Sequence, residues 1–508
     1  MSLSEKAFLR KSAATGPDET VISVRIPEEK SRCNVMTNAW DEEADVVVLG
    51  CGGAGAVTAI TAYDSGSKVI VVEKGEFGGN TRLATMAFLC PTNNSSAREH
   101  IKALSFGRLG DDIIDVYVEW TSKNVEYIKQ LGGEVETCFP GASFSLLPGS
   151  ETMLRYRVKA GTEGELGGES LWNLLWKNLQ QRNIPVHRHA TANRIIRSDD
   201  EVVGVATQKE EQRFNIRARK AVVLATGGFE YNEELKQEFL PAYPIFAYGN
   251  AGNTGDGIRL AQELGADLWH MNAVAAPMGY KFPEFQSAFI MRMPAHGYII
   301  VDQNGNRFCN ETGLEHYSMW MSVTSFDTES LRFARIPSYL IFGEQTRLTG
   351  PITRVGHGAN RAYRWSADNS EEVRRGWIQS GNTPSQLASK LGIKASGQLT
   401  DTLESYQNAC RTGSDEKFGR PKETLVGFDG KHYGVPLWPC LLNTQGGPKR
   451  NARGEIVDVW GKPIKRLYGV GEMGSIWGFL YQSGGNLAEC LGLGRMVGLN
   501  AAAELPLN

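Results

Sequence analysis

The 508-residue chain has no CxxC pair, no internal repeat, no low-complexity tract and no apolar run of 18 residues. Each gap removes a class of protein. Eight cysteines (33, 51, 90, 138, 309, 410, 440 and 490) lie scattered, with no histidine at ligand spacing, which argues against a structural zinc site or a disulfide framework. That usage fits a reduced, cytoplasmic setting. Without a long apolar segment, no membrane-spanning helix is expected, and the opening MSLSEKAFLRKSAATG lacks the apolar core of a secretion signal. Charge of one sign is also missing: 54 basic residues stand against 57 acidic ones, so neither nucleic acid nor an anionic membrane is the expected partner. What the chain has in excess is glycine, 57 residues in clusters, a sign of backbone brought close to a ligand.

Residues 1–43 are polar and aperiodic and read as a loosely attached arm. DVVVLG (45–50), CGGAGAVTAITAYDSG and KVIVVEKG (68–75) then give strand, tight turn, helix and strand, a βαβ unit that builds a parallel sheet. Helical patterns at 114–133 and 169–182 and strand character between 185 and 228 follow, with a helix opened by a glycine turn at 255–268. The βαβ rhythm stops between 276 and 430, where SGNTPSQLASKLGI predicts a helix capped by Thr383. It returns with a strand at 465–472 and a closing helix at 486–505. The expected fold class is α/β, a Rossmann-like domain of 44–275 and 431–508 carrying an inserted α+β capping domain at 276–430.

Gly50-Cys51-Gly52-Gly53-Ala54-Gly55 is GxGxxG between a strand and a helix, with Glu73 ending the next strand 18 residues beyond Gly55. The glycines allow the turn, the approach of a pyrophosphate and helix–strand packing; Glu73 suits the ribose hydroxyls of an adenosine. A second glycine turn, Gly78-Gly79-Asn80-Thr81, has no use in a nicotinamide site and points to FAD. Gly469–Gly474 also fits GxGxxG, but the acid at the right distance, Glu489, falls inside the closing helix, so a second nucleotide site is rejected.

Taken in order, VVVLGCGGAG, VVEKGEFGGNT, VLATGGF, NTGDGIRLAQELGA, DQNGNRFCNE, TQGGPKRNARGEIVD, RLYGVGE and SGGNLAECLGLGR resemble the fumarate reductase and 3-ketosteroid dehydrogenase superfamily of FAD enzymes over about residues 44–502. The resemblance implies a two-dinucleotide-type FAD domain and a cap that closes over the isoalloxazine. It also implies FAD contacts from Lys74, Ala192, Ala225, Thr226, Gly227 and Asp256, with Gly471 and Glu472 on the ribityl side and Gly485, Asn486 and Leu487 at the closing helix.

Fumarate reductases of this superfamily resemble one another in an arginine four residues after the Glu of RFxNE, a histidine in HTMGG and an arginine before LGGN. Here those positions carry Glu315, Asn443 and Gln482, so a dicarboxylate meets no cation unless Arg155 or Arg292 has moved in. Ketosteroid dehydrogenases resemble one another in tyrosines, and Tyr481 with Gly485 reproduces their Tyr-x-x-x-Gly spacing, Gly485 offering its N–H to a ketone; Tyr317 is the nearest counterpart of the other tyrosine. The expected reaction is dehydrogenation or reduction of a C–C bond beside a ketone in a small apolar substrate, coupled to a soluble electron acceptor or donor. A fumarate reductase-like ene-reductase and a flavin-binding redox sensor are the alternatives. For each site residue a structural reading stands beside the functional one. Tyr481 and Tyr317 line the site or pack as core; His316 is an acid or a packing residue; Glu315 is a buried acid/base or a solvated face. His187 and His189 read as sheet surface, and the aromatics and methionines of 278–298 as core that also has the makings of an apolar pocket lining.

Overall fold

A computed structural model of the protein describes residues 40–84, 87–138, 143–161, 165–354, 361–428 and 430–507. Most of the expected N-terminal arm lies outside the described residues. The first strand, Glu42–Leu49, begins three residues before the expected DVVVLG run at 45–50 and lies inside an eight-stranded sheet. It pairs in parallel with Val69–Glu73 on one side and with Gln212–Leu224 on the other. Val46, Val47, Val48 and Leu49 are buried on both faces, which is why this strand reads as a continuous β-branched run without alternation. Val186–Arg188 extends the parallel sheet at one edge and Pro463–Gly469 at the other, while Ala190–Ser198, Glu201–Lys209 and Gln212–Leu224 form an antiparallel meander.

The crossover helix Gly53–Asp64 and the closing helix Gly485–Ala503 pack on one face of this sheet. Their closeness depends on glycine: a Cβ on Gly494 would sit 2.9 Å from Val57, and one on Gly498 would sit 2.8 Å from the Thr58 carbonyl. The closing helix is therefore buried nearly all round, which explains its lack of an amphipathic stripe.

A second sheet runs in the order Phe289–Ile290, Met278–Tyr280, His432–Leu441, Ser338–Gly343, Tyr298–Val301. His432–Leu441 is its central strand, pairing with Ser338–Gly343 over six residues. This strand lies beyond the expected boundary at 430 and runs to Leu441, and Pro436 and Pro439 inside it weakened its β signal. The predicted helix at 380–393 is Pro384–Leu391, and Thr383 Oγ1 accepts the Gln386 N–H at 3.2 Å. The helix expected at 255–268 is shorter, Asp256–Gln262, after Gly255 in a left-handed conformation at φ 78°. Met278, Tyr280, Phe282, Phe289, Met291 and Tyr298 are buried together in the cap core. A three-stranded sheet of Phe88–Pro91, Met153–Val158 and Val135–Thr137 has no counterpart in the sequence reading.

Candidate functional site

The glycine fingerprint divides into three physical roles when each position is asked what a methyl group would meet. At Gly50, φ is +102° and a Cβ would sit 2.3 Å from the Ala225 carbonyl oxygen. At Gly55 it would sit 2.0 Å from the Gly50 oxygen. At Gly52 it meets nothing nearer than 3.9 Å, so that methyl would project into open space in front of the helix. Two glycines hold the turn and the helix–strand contact, and one keeps a ligand's place clear. Glu73 is fixed there: its carboxylate accepts the Cys51 N–H at 2.7 Å and the Gly75 N–H at 2.9 Å.

This turn opens a cleft of about 790 Å³, its open mouth included. Gly50, Gly52, Gly53, Ala54, Glu73 and Lys74 line one wall; Gly79, Asn80 and Thr81 continue it. Ala192, Ala225, Thr226, Gly227, Asp256 and Glu472 complete the set. Lys74 Nζ donates to Thr254 Oγ1 and to Asp256, each at 2.6 Å, so Asp256 is tied across the cleft to the end of the second strand. Thr81 Oγ1 accepts the Gly53 N–H at 3.0 Å. Gly55, Gly78, Gly471 and Gly485 do not line the cleft; they shape it. Gly78 turns at φ +103°, and a Cβ on Gly471 would sit 2.7 Å from Ala54. Asn250, Asn253 and Cys490 also line the cleft and were not expected; the amide-rich GNAGN before the third glycine turn was the signal for the first two.

A second cavity, about 720 Å³, adjoins the first and shares Asn80, Thr81, Glu472 and Cys490 with it. Asn486 and Leu487, expected at the cofactor, line this one, with Tyr317 and Tyr481. The two tyrosine rings meet edge to face at 5.3 Å. Tyr481 Oη accepts the Asn486 N–H at 3.4 Å from the start of the closing helix, and Tyr317 Oη accepts a 3.5 Å bond from Ser483 Oγ. Tyr248 and Asn443 were not expected as lining and face the same space. Among its described lining residues there is no arginine, lysine or histidine. Of the cap aromatics and methionines at 278–298, none is among the described lining residues.

The two phenols differ in environment. Burial drives Tyr481 far above the ordinary tyrosine value, and neighbouring Tyr317 raises it further. Burial raises Tyr317 as well, but the Ser483 hydrogen bond and the Arg354 and Arg155 charges pull it back.

The remaining candidates separate. Gly485, the expected ketone donor, gives its N–H to the Gln482 carbonyl at 2.9 Å in the turn that starts the helix, and it is not among the described lining residues of the pocket. Glu315 stands beneath Tyr317, its carboxylate accepting the Tyr317 and Ser318 N–H groups at 2.8 and 3.1 Å. Burial pushes its pKa up to about 7. It is partly buried and not among the described lining residues of the pocket. His316 keeps accessible surface, yet the protein packed around it, with the Arg354 and Arg292 charges, holds it down to about 4 and therefore neutral. Gln482 is fully buried and turned away, its Oε1 3.0 Å from His100 Nε2. Glu489 is buried against Arg450 and Ser475 Oγ, a structural role. His187 pairs with Glu42 at 3.0 Å.

A buried partner unseen in the sequence is Glu230, just beyond ATGGF. Asn80 Nδ2 donates to Glu230 Oε1 at 2.8 Å and to Glu472 Oε2 at 2.9 Å, and Asn253 Nδ2 reaches Glu230 Oε1 at 3.1 Å. Glu472 Oε1, Asn486 Oδ1 and Gln445 Nε2 are buried without a protein partner. Glu472 lines both spaces, Asn486 lines the second, and Gln445 lies behind Asn486; orphaned polar atoms at this shared wall are what a hydroxyl- and amide-rich cofactor would satisfy.

A family model described as an FAD binding domain matches residues 45–487, which indicates FAD as the cofactor. The chain is 28% identical over 489 residues to an NADH:fumarate oxidoreductase of Klebsiella pneumoniae (strain 342), covering 92% of this chain and 48% of that protein, so it spans about half of that relative's length. It is 25% identical over 570 residues to a 3-oxosteroid 1-dehydrogenase of Mycolicibacterium smegmatis (strain ATCC 700084 / mc(2)155), covering 91% of this chain and 98% of that one. In fold it is similar to a 3-ketosteroid delta1-dehydrogenase from Sterolibacterium denitrificans in complex with 1,4-androstadiene-3,17-dione, with a TM-score of 0.80 at 20% identity over 91% of this chain and all of the other.

Proposed function

We propose a reaction for a chain that belongs to the FAD binding domain family: hydride transfer at a C–C bond beside a ketone, in a neutral and largely apolar substrate. The observation behind this reading is the pair of phenols, Tyr317 and Tyr481, meeting at 5.3 Å in a pocket with no cation in its described lining. FAD, when bound in the adjoining cleft, supplies the hydride acceptor or donor.

The residues divide the remaining work. Tyr481 is held as a neutral phenol by its burial, and the Asn486 N–H occupies its oxygen, so its own proton is left to donate to the substrate carbonyl. That bond strengthens as negative charge collects on the carbonyl oxygen. Tyr317 is the easier of the two to ionise, with Ser483 donating to its oxygen and guanidinium groups nearby, and it moves the proton at the carbon next to the carbonyl. Leu83, Ala84, Ala87, Leu442 and Leu487 provide an apolar surface for the body of the substrate. Ketosteroids and cyclic enones fit this description; the steroid relative named above adds weight to it.

A second reading rests on the arginines behind the phenols. Arg354 acts on Tyr317, Tyr248 and His316, and Arg292 acts on both His316 and Arg354, an arrangement that favours a carboxylate-bearing alkene. The fumarate reductase relative is in keeping with it. The test is a panel of ketosteroids, enones and unsaturated carboxylates mixed anaerobically with the oxidised and the reduced holoprotein, followed by flavin absorbance. Bleaching or recovery with ketones alone supports the first reading; a response to carboxylates alone, lost in Arg354→Ala, replaces it with the second.

A further inference from the structure

Glu230 and Glu472 are the two carboxyl groups most completely removed from water in the site, and the reaction above uses neither. They come from different parts of the chain, one after the Gln212–Leu224 strand and one after Pro463–Gly469, and Asn80 holds one oxygen of each. Their other oxygens, Glu230 Oε2 and Glu472 Oε1, have no other protein partner and converge. A Cβ on Gly228 would lie 2.6 Å from the first, 2.5 Å from the second and 2.2 Å from Thr444 Oγ1, so both oxygens and that hydroxyl crowd a single point that only a glycine leaves open. Two buried carboxylate oxygens brought to one point disfavour two negative charges and favour one proton held between them.

The described protein side chains around the pair supply no neutralising charge. Glu230 acts on the Tyr231 phenol, which burial raises to about 12. Glu472 acts on Tyr481 and on the Cys490 thiol, both held neutral well above their ordinary values by burial. Amides of Asn80, Asn253 and Asn443 complete the surroundings. Among the described residues no lysine, arginine or histidine bonds to either carboxyl. Burial raises both carboxyls, and the Glu230 charge raises Glu472 further. Glu472 lines the cofactor cleft and the substrate pocket alike.

We propose that Glu230 and Glu472 hold one proton between them and take up a second from solvent when the bound flavin gains two electrons, releasing it on reoxidation. Reduction places negative charge on the isoalloxazine in a poorly solvated cleft, and protonating the shared carboxylate offsets it. Two electrons enter the flavin from the reductant; one proton goes to the flavin ring and one to the carboxyl pair, and no carbon bond changes. The inference rests on FAD in the cleft and on no particular substrate, so it stands or falls apart from the ketone reading.

The test is a redox titration of the holoprotein with dithionite and mediators across pH, without substrate. The wild type should take up about two protons per electron pair where the pair titrates, and Glu230→Gln about one. Reduced-minus-oxidised infrared difference spectra of the wild type should gain a carboxylic-acid C=O band that shifts in D₂O. Equal proton uptake in wild type and variant overturns the proposal. If Glu230→Gln does not retain FAD, the wild-type infrared spectrum decides, and the absence of a new carboxylic-acid band overturns it.

Discussion

In the cofactor cleft, much of the surface offered to a ligand is backbone: the Gly50–Gly55 turn, Gly79, Ala225 to Gly227, and a carboxylate at Glu73 that is itself pinned by two main-chain N–H groups. In the neighbouring pocket more of the surface is side chain, and its hydroxyls arrive from four separate segments, at Thr81, Tyr248, Tyr317 and Tyr481–Ser483. The two spaces share Asn80, Thr81, Glu472 and Cys490, so one wall serves both. A backbone-built site is specified by conformation, which few residues can satisfy. A side-chain-built site is specified by long-range packing, which many sequences can satisfy.

The largest effect should come from testing whether the cleft is as conformational as it looks. Gly55→Ala forces a Cβ to 2.0 Å from a carbonyl oxygen of the same turn, where neither atom belongs to a side chain that can swing away. The expected cost is on the order of 4 kcal/mol or outright failure to fold. Gly52→Val, three residues earlier, should leave the apoprotein's melting temperature nearly unchanged and weaken FAD retention by roughly 10- to 100-fold, because the side chain occupies the ligand's space and not the protein's. Thermal melts of apoprotein and flavin titrations separate the two. Equal behaviour of the two variants would mean that the turn does not divide its roles in this way.

A smaller loss, confined to turnover, is expected on the pocket side. Tyr481→Phe and Tyr317→Phe each remove one hydroxyl from a surface that other side chains maintain, so FAD content and absorbance should persist while kcat falls about 10²- to 10⁴-fold. If the phenols divide their roles as proposed, Tyr317→Phe shifts the pH dependence of kcat and Tyr481→Phe does not. Single-turnover reduction with a responsive substrate across pH checks both. Loss of flavin in either variant would place that phenol in the cofactor wall instead.

The same contrast accounts for what could be read in the amino-acid order. GCGGAG, EKGEFGGNT and ATGG declare themselves because positive φ angles and tight backbone contacts admit little besides glycine, and the helices and strands beside them follow from local periodicity. Tyr481 was legible because it sits a few residues from such a turn. Glu230 was not: nothing local marks it as the partner of Glu472, 242 residues away, and only the sheet order brings the two ends of those strands together. The surroundings of Gly485 were hidden for a related reason. Its spacing from Tyr481 is right, but whether its N–H is free depends on how the helix starts, and here the Gln482 carbonyl takes it. The strand His432–Leu441 escaped because its two prolines mask a central strand whose neighbours are set by the cap as a whole.

Glu315 gives the smallest effect and tests how dry the floor of the pocket is. Its carboxyl sits at about 7 against an ordinary 4.5, with burial as the main cause and the Tyr317 and Ser318 N–H groups opposing it. Between those two values the folded protein holds a proton that the unfolded chain has lost. The stabilisation from that protonated carboxyl is therefore complete below pH 4.5 and disappears as the pH rises through 7. Glu315→Gln keeps an oxygen to accept the two N–H groups and has no proton to lose. Wild type and variant should be about equally stable near pH 4, and the variant should gain on the wild type by roughly 1–2 kcal/mol by pH 8, after allowing for the partial exposure of the side chain. Denaturant melts at the two pH values read the difference directly. A gap that stays flat with pH would show that water reaches Glu315 freely. The phenol above it would then stand in a wetter pocket than the one that keeps Tyr317 and Tyr481 apart in acidity.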